Sequence, residues 1–165
     1  MHRSLRTLAY FFLCACFALT LTACDSDDSD DDNNGGGGGG GTGAGVTAVV
    51  DGGSWTATTL AAAGRDEDDT SFGFGGFAAN GSSITVAVQS LSAGTYSTAN
   101  QDFVGVYAAT TTGVPFTTAL GGSGTITVSS ITAERVRGTF SFTASNGSGT
   151  VSVTSGEFDV AFIDN

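Results

Sequence analysis

RVRGTFSFTASNGSGTVSVTSGEFDVAFI, Arg135 to Ile163, decides the fold class of this chain. Val136, Phe140, Phe142 and Ala144 share one parity, with serine and threonine between the aromatics, which is the period-two alternation of a strand with one buried face. Asn146-Gly147 follows, a pair suited to the positive backbone angles of a tight hairpin turn. The chain returns as Thr-Val-Ser-Val and ends in Glu-Phe-Asp-Val-Ala-Phe, which points Phe158, Val160 and Phe162 inward. Two long antiparallel strands joined by a turn account for the whole stretch.

The same grammar extends upstream at intervals of about 8–12 residues. Val46 to Val50 runs into Asp51-Gly52-Gly53-Ser54 and returns from Trp55 as Trp-Thr-Ala-Thr-Thr-Leu-Ala-Ala. Ser71 to Ala79 meets Asn80-Gly81 and returns through Ile84, Val86 and Val88 on one face. Phe72 and Phe74 have one parity and Phe77 the other, so a bulge is expected at Gly75-Gly76. Asp102 to Thr110 pairs with Val114 to Thr118, where Pro115 marks an edge or an irregular strand. A further strand begins at Thr125. FAANGSSITVAV and FTASNGSGTVSV align only with a one-residue slip, so they read as two Asn-Gly hairpins and not as a repeat. No stretch has the periodicity of a three-turn helix. The expected fold is all-β, an antiparallel β-sandwich of about nine or ten short strands, with a small up-and-down β-barrel as the alternative.

Charge excludes one class of partner. The chain has no lysine, and of its five arginines only Arg65, Arg135 and Arg137 lie beyond residue 24. From Val46 onward, ten acidic groups face three arginines, a net charge of −7. Nucleic acid is therefore no partner, because a phosphate backbone is held by clustered lysine and arginine. A lysine-free acidic surface suits a salt-rich habitat, where ions screen self-repulsion.

The N-terminal segment carries an address. Met1 to Ala23 has a basic start, an apolar run of about 14 residues from Leu8 to Leu21, and small residues before a cysteine. That run is short of the roughly 20 residues a spanning helix needs. Leu21-Thr22-Ala23-Cys24 resembles the lipobox of bacterial lipoprotein signals at all four positions. The resemblance implies cleavage between Ala23 and Cys24 and lipid attachment at Cys24, after removal of a signal peptide spanning 1–23. Cys14 and Cys16 sit in the apolar run as small hydrophobes, so the processed chain keeps one cysteine and has no disulfide. Each buried methylene contributes about 0.8 kcal/mol, so two or more acyl chains anchor stably without a transmembrane helix.

Residues 24–45 form the expected tether, with six aspartates between Asp25 and Asp32 and then a glycine-rich run. No apolar residue in the acidic part offsets the entropy of ordering, so this N-terminal region is expected to be disordered. At about 5–6 Å × √n it would hold the domain some 25 Å from the lipid. The aspartates fit simple spacing by repulsion; Asp25-Ser26-Asp27-Asp28 also resembles the surface-export signal of some bacterial lipoproteins, and Asp25 just after the cysteine resembles an inner-membrane retention signal. The protein is expected to be exported and lipid-anchored to the bacterial envelope at the outer membrane, facing either the periplasm or the surface.

The third part, 46–165, also resembles a family of small bacterial lipoproteins that carry a single β-sandwich module of no established function. The residues that match are Val50-Asp51-Gly52 with Trp55, Gly94-Thr95-Tyr96, Arg135 to Ala144, and Val151 to Val160. The resemblance implies a fold and no chemistry.

Candidate chemistry is sparse. His2 is the one histidine and lies in the leader, which removes serine or cysteine triads and histidine-containing zinc sites from consideration. Asp51, Asp102, Glu134, Glu157 and Asp159 are the carboxylates available to a glycosidase-like pair, and Glu157 and Asp159 share an outward strand face. Asp66, Asp68 and Asp69 form the candidate metal set, for calcium, in a loop that lacks the glycine and distal glutamate of a calcium loop. A solvated loop is the expected reading there, and no cofactor is expected. Trp55, Phe72, Phe74 and Phe77 are expected in the core, with a sugar-stacking face as the alternative. Arg135 and Arg137 flank Val136 on an outward face and are expected to offset local negative charge, with contact to an acidic ligand as the alternative. The reading reached is a non-catalytic interaction or structural domain on a lipid anchor, binding an envelope glycan or protein, with a carboxylate-dependent hydrolase as the alternative.

Overall fold

The computed structural model describes residues 45–163. The expected signal segment, the expected cleavage and lipid-attachment residues Ala23 and Cys24, and the expected tether up to residue 44 lie outside the described residues. Eleven strands follow in order: β1 (Gly45–Val50), β2 (Gly53–Thr56), β3 (Thr59–Arg65), β4 (Phe72–Phe77), β5 (Ser83–Val88), β6 (Gly94–Ser97), β7 (Phe103–Ala108), β8 (Phe116–Thr117), β9 (Ser123–Ile131), β10 (Arg135–Ser145) and β11 (Thr150–Ala161). Among the described residues no helix is long and apolar enough to cross a membrane.

Hydrogen bonding joins the strands in one antiparallel sheet, ordered β2-β1-β11-β10-β8-β7-β5-β4-β3, with β9 also on β10 and β6 on β9. The expected all-β antiparallel class is present, with eleven strands where about nine or ten were expected. Read from the other end, the path β3-β4-β5-β7-β8-β10-β11-β1-β2 follows the chain around the sheet as an up-and-down meander does, with β6 and β9 off it. Among the described residues no ladder joins β2 to β3, so the sheet is a curled half-barrel. At β10, one edge serves two neighbours. Most of that edge, Val136 to Thr143, pairs with β9, while Ser145 at its end pairs with Thr117 of β8. The curl of this one sheet brings its β3–β5 wing over its β10–β11 wing, across a shared inner face.

Between the wings lies an aromatic core. Phe74 of β4 stacks on Phe158 of β11 with ring centroids 4.2 Å apart, and meets Phe140 of β10 edge-on at 5.7 Å. Phe72, Phe103, Ile84, Val86, Val88, Val136 and Val160 are fully enclosed. Each such side chain contributes about 1.5–3 kcal/mol by leaving water. Opposite the β10 junction, Ala63 of β3 bridges to Phe162, Ile163 N donates to Ala63 O at 2.8 Å, and the Arg65 guanidinium lies 3.9 Å above the Phe162 ring.

Two register expectations change. The return of the first hairpin breaks after Thr56, and Thr59–Arg65 leaves as a separate strand to pair with β4. No bulge occurs at Gly75-Gly76, because β4 pairs with β5 without interruption from Phe72↔Val88 to Phe77↔Ser83. Gly76 takes the inward position after Phe74, where a Cβ would lie 2.5 Å from the Ala57 methyl, and Phe77 turns outward, half-buried. The irregularities lie elsewhere: one leaves Ser129 of β9 unpaired against β10, and two more carry positive φ. One is in β3 around Leu60, with φ of +54°, and one is in β11 around Ser155, with φ of +49°. The second switches the inward parity from Val151 and Val153 to Phe158 and Val160.

Two 3-10 turns share a pattern. Ser97 and Thr117 cap them through hydroxyls that accept from Ala99 N and Ala119 N, each at 3.2 Å. Thr98 Oγ1 then accepts from Gly124 N of β9, and Thr118 Oγ1 from Gly105 N of β7, each at 3.1 Å. The two turns thus lock each other's neighbouring strands.

Candidate functional site

Most of the sequence-predicted residues prove to have structural duties. Trp55 is buried and its indole N–H donates to Ser82 Oγ at 2.8 Å, while Ser82 Oγ donates to Asn80 Oδ1 at 2.6 Å. Phe72 and Phe74 are enclosed in the core, as expected, so they form no stacking platform for a ligand. In the acidic loop, Asp66 accepts from Thr70 N at 2.7 Å, Thr70 Oγ1 at 2.6 Å and Ser71 N at 2.8 Å. Burial raises the Asp66 pKa, but these hydrogen bonds outweigh it and hold the carboxyl below its ordinary value of 3.8. Asp68 and Asp69 are exposed on the same turn, and among the described residues no group of three His, Cys, Asp or Glu side chains converges as a metal would require. Asp66 acts there as a turn brace.

The other carboxylates are dispersed. Asp51 Oδ1 accepts from Ser152 N at 2.8 Å and fastens the first turn to β11. Asp102 Oδ2 accepts from Ser97 N at 3.4 Å, and Glu134 is exposed in the β9–β10 turn. Asp159 lies between two arginines, 2.6 Å from Arg135 Nη2 and 3.0 Å from Arg137 Nε. Desolvation pushes its pKa up, yet the hydrogen bond and charge of Arg135, followed by those of Arg137, bring it below 3.8. A carboxyl held ionised in this way is a poor proton donor, which a glycosidase pair requires of one member.

One feature that sequence reasoning missed gathers on the outer face. Thr95 of β6 stands opposite Thr127 of β9, which is opposite Thr139 of β10, which is opposite Glu157 of β11, then Thr47 of β1 and Thr56 of β2. All six residues are exposed and stand in one continuous register across six strands. Thr95 and Thr127 join their hydroxyls at 3.1 Å. Two open depressions of about 770 and 380 Å³ meet along this row and share Thr127, Thr139 and Glu157. The Arg135, Arg137 and Asp159 group borders the larger one. Outward parity of the threonines was legible in each strand alone, but their alignment depends on which strands are neighbours.

A family model described as a domain of unknown function, DUF6252, matches residues 43–160. The chain belongs to this family. No curated protein and no solved structure matches it. The DUF6252 match contains all eleven strands apart from the last residue of β11, so the outer row and both depressions are features of the family's domain in this chain.

Proposed function

We propose that this protein is a lipid-anchored component of the bacterial envelope whose DUF6252 domain acts by binding and not by catalysis. The observation that carries the anchor is Leu21-Thr22-Ala23-Cys24 at the end of an apolar leader. Binding is favoured over hydrolysis because Asp51, Asp66 and Asp102 are held in structural hydrogen bonds, and because Asp159, beside the exposed Glu157 on β11, is kept ionised by two guanidiniums. A broad open face with side-chain hydroxyls suits a ligand held by many small contacts. The concrete ligand is an envelope glycan or protein. The anchor is tested by expressing the full chain and its Cys24→Ser variant in a bacterial host with labelled palmitate. Label and detergent-phase partitioning should be present in the first and lost in the second; equal partitioning of both chains would remove the anchor from the account.

A further inference from the structure

The row Thr95, Thr127, Thr139, Glu157, Thr47 and Thr56 spans six strands, and at about 4.8 Å per strand it is about 24 Å long. We propose that this outer face binds an extended neutral polysaccharide laid across the strands along the row. The proposal deepens the binding reading above and rests on it.

Charge and hydrogen-bonding chemistry select this occupant. Arg135 and Arg137 balance Asp159 and Glu157, so the face is neutral within a domain of net charge −7. A polyanion gains no attraction there and is repelled by the rest of the surface. A peptide anchored by apolar side chains finds exposed threonine in place of an apolar pocket. Threonine hydroxyls both donate and accept, as sugar hydroxyls do, and carboxylate and guanidinium groups take neighbouring hydroxyls in pairs. The strand spacing is close to the repeat of a hexose in an extended chain, so successive sugars meet successive hydroxyls. Each such contact is weak against water, and the affinity comes from repetition along the polymer. Single sugars therefore bind too weakly to register.

The full chain is run through native gels containing dextran, a soluble β-glucan or mannan, with polygalacturonate and free monosaccharides in parallel. At least one neutral polymer should retard it, and a Thr127→Val, Thr139→Val pair should weaken the retardation about tenfold. Valine suits an exposed strand position, so the thermal midpoint should stay unchanged, which separates binding from folding. The proposal is overturned if no neutral polymer retards the wild-type chain, if retardation survives the double substitution, or if polygalacturonate is preferred. Neither of the last two results would touch the broader binding reading, and none bears on Cys24.

Discussion

Trp55 illustrates how a single buried donor constrains this domain. Its indole N–H is enclosed and has Ser82 Oγ as its acceptor. Removing the acceptor leaves a buried polar group without a partner, which costs about 1–3 kcal/mol. Ser82→Ala should therefore lower stability by that amount in urea unfolding followed by the emission of this one tryptophan, whereas an unchanged midpoint would show that the hydrogen bond contributes nothing. At this scale the sequence was a good guide to burial. Trp55, Phe72 and Phe74 are internal because each lies on the apolar parity of a short strand. Phe77 misled, since an aromatic of the wrong parity suggested a register change, while the inward place belonged to Gly76. A glycine beside a close neighbour carries no apolar signal, so the choice was invisible before the Ala57 contact was known.

At the scale of elements, hairpins were legible and bulges were not. Asp51-Gly52, Asn80-Gly81 and Asn146-Gly147 place their positive-φ needs on residues that advertise them. Leu60 and Ser155 adopt the left-handed region with no such signal. The β11 bulge did leave a trace, because Val153 and Phe158 are both apolar yet differ in parity within one strand. That bulge sets the outward positions of Glu157 and Asp159, and so creates the ion group with Arg135 and Arg137. Because the folded Asp159 and Asp66 carboxyls lie below 3.8, their stabilisation is complete above that value and is lost as pH falls through the lower folded values. Stability should decline on acidification below about pH 4, and Asp159→Asn should flatten part of this decline while costing about 1 kcal/mol at neutral pH. Thermal melts of both chains between neutral pH and pH 2 would show it, and parallel curves would exclude Asp159 as a contributor.

At the scale of the molecule, the curl is held at two places. The Ser145–Thr117 pairing joins the wings on one side, and Arg65 fastens β3 to the other. Arg65 Nη2 donates to Thr132 O at 3.0 Å and Ala133 O at 2.6 Å, while its Nε is buried with no hydrogen-bond partner among the described residues. Lysine has no planar group to lie on Phe162 and reach both carbonyls. Arg65→Lys should cost about 1 kcal/mol and Arg65→Ala about 1–3 kcal/mol in urea midpoints; equal stability of all three would show that the wing closes without it. The closure and the cross-strand threonine row both depend on long-range pairing, which a single sequence specifies least. The net charge of −7 predicts a further property of the whole domain, stability that rises with salt as repulsion is screened. A titration that stays flat or falls up to molar salt would contradict a salt-adapted surface.

Anchoring of the module depends on Cys24, and the intact mass of the protein purified from bacterial membranes tests it most directly. A chain beginning at Cys24 and heavier by a diacylglyceryl group, with or without a further acyl chain on the amino terminus, is the predicted result. A chain beginning at Met1, or a Cys24 thiol without lipid, would contradict it.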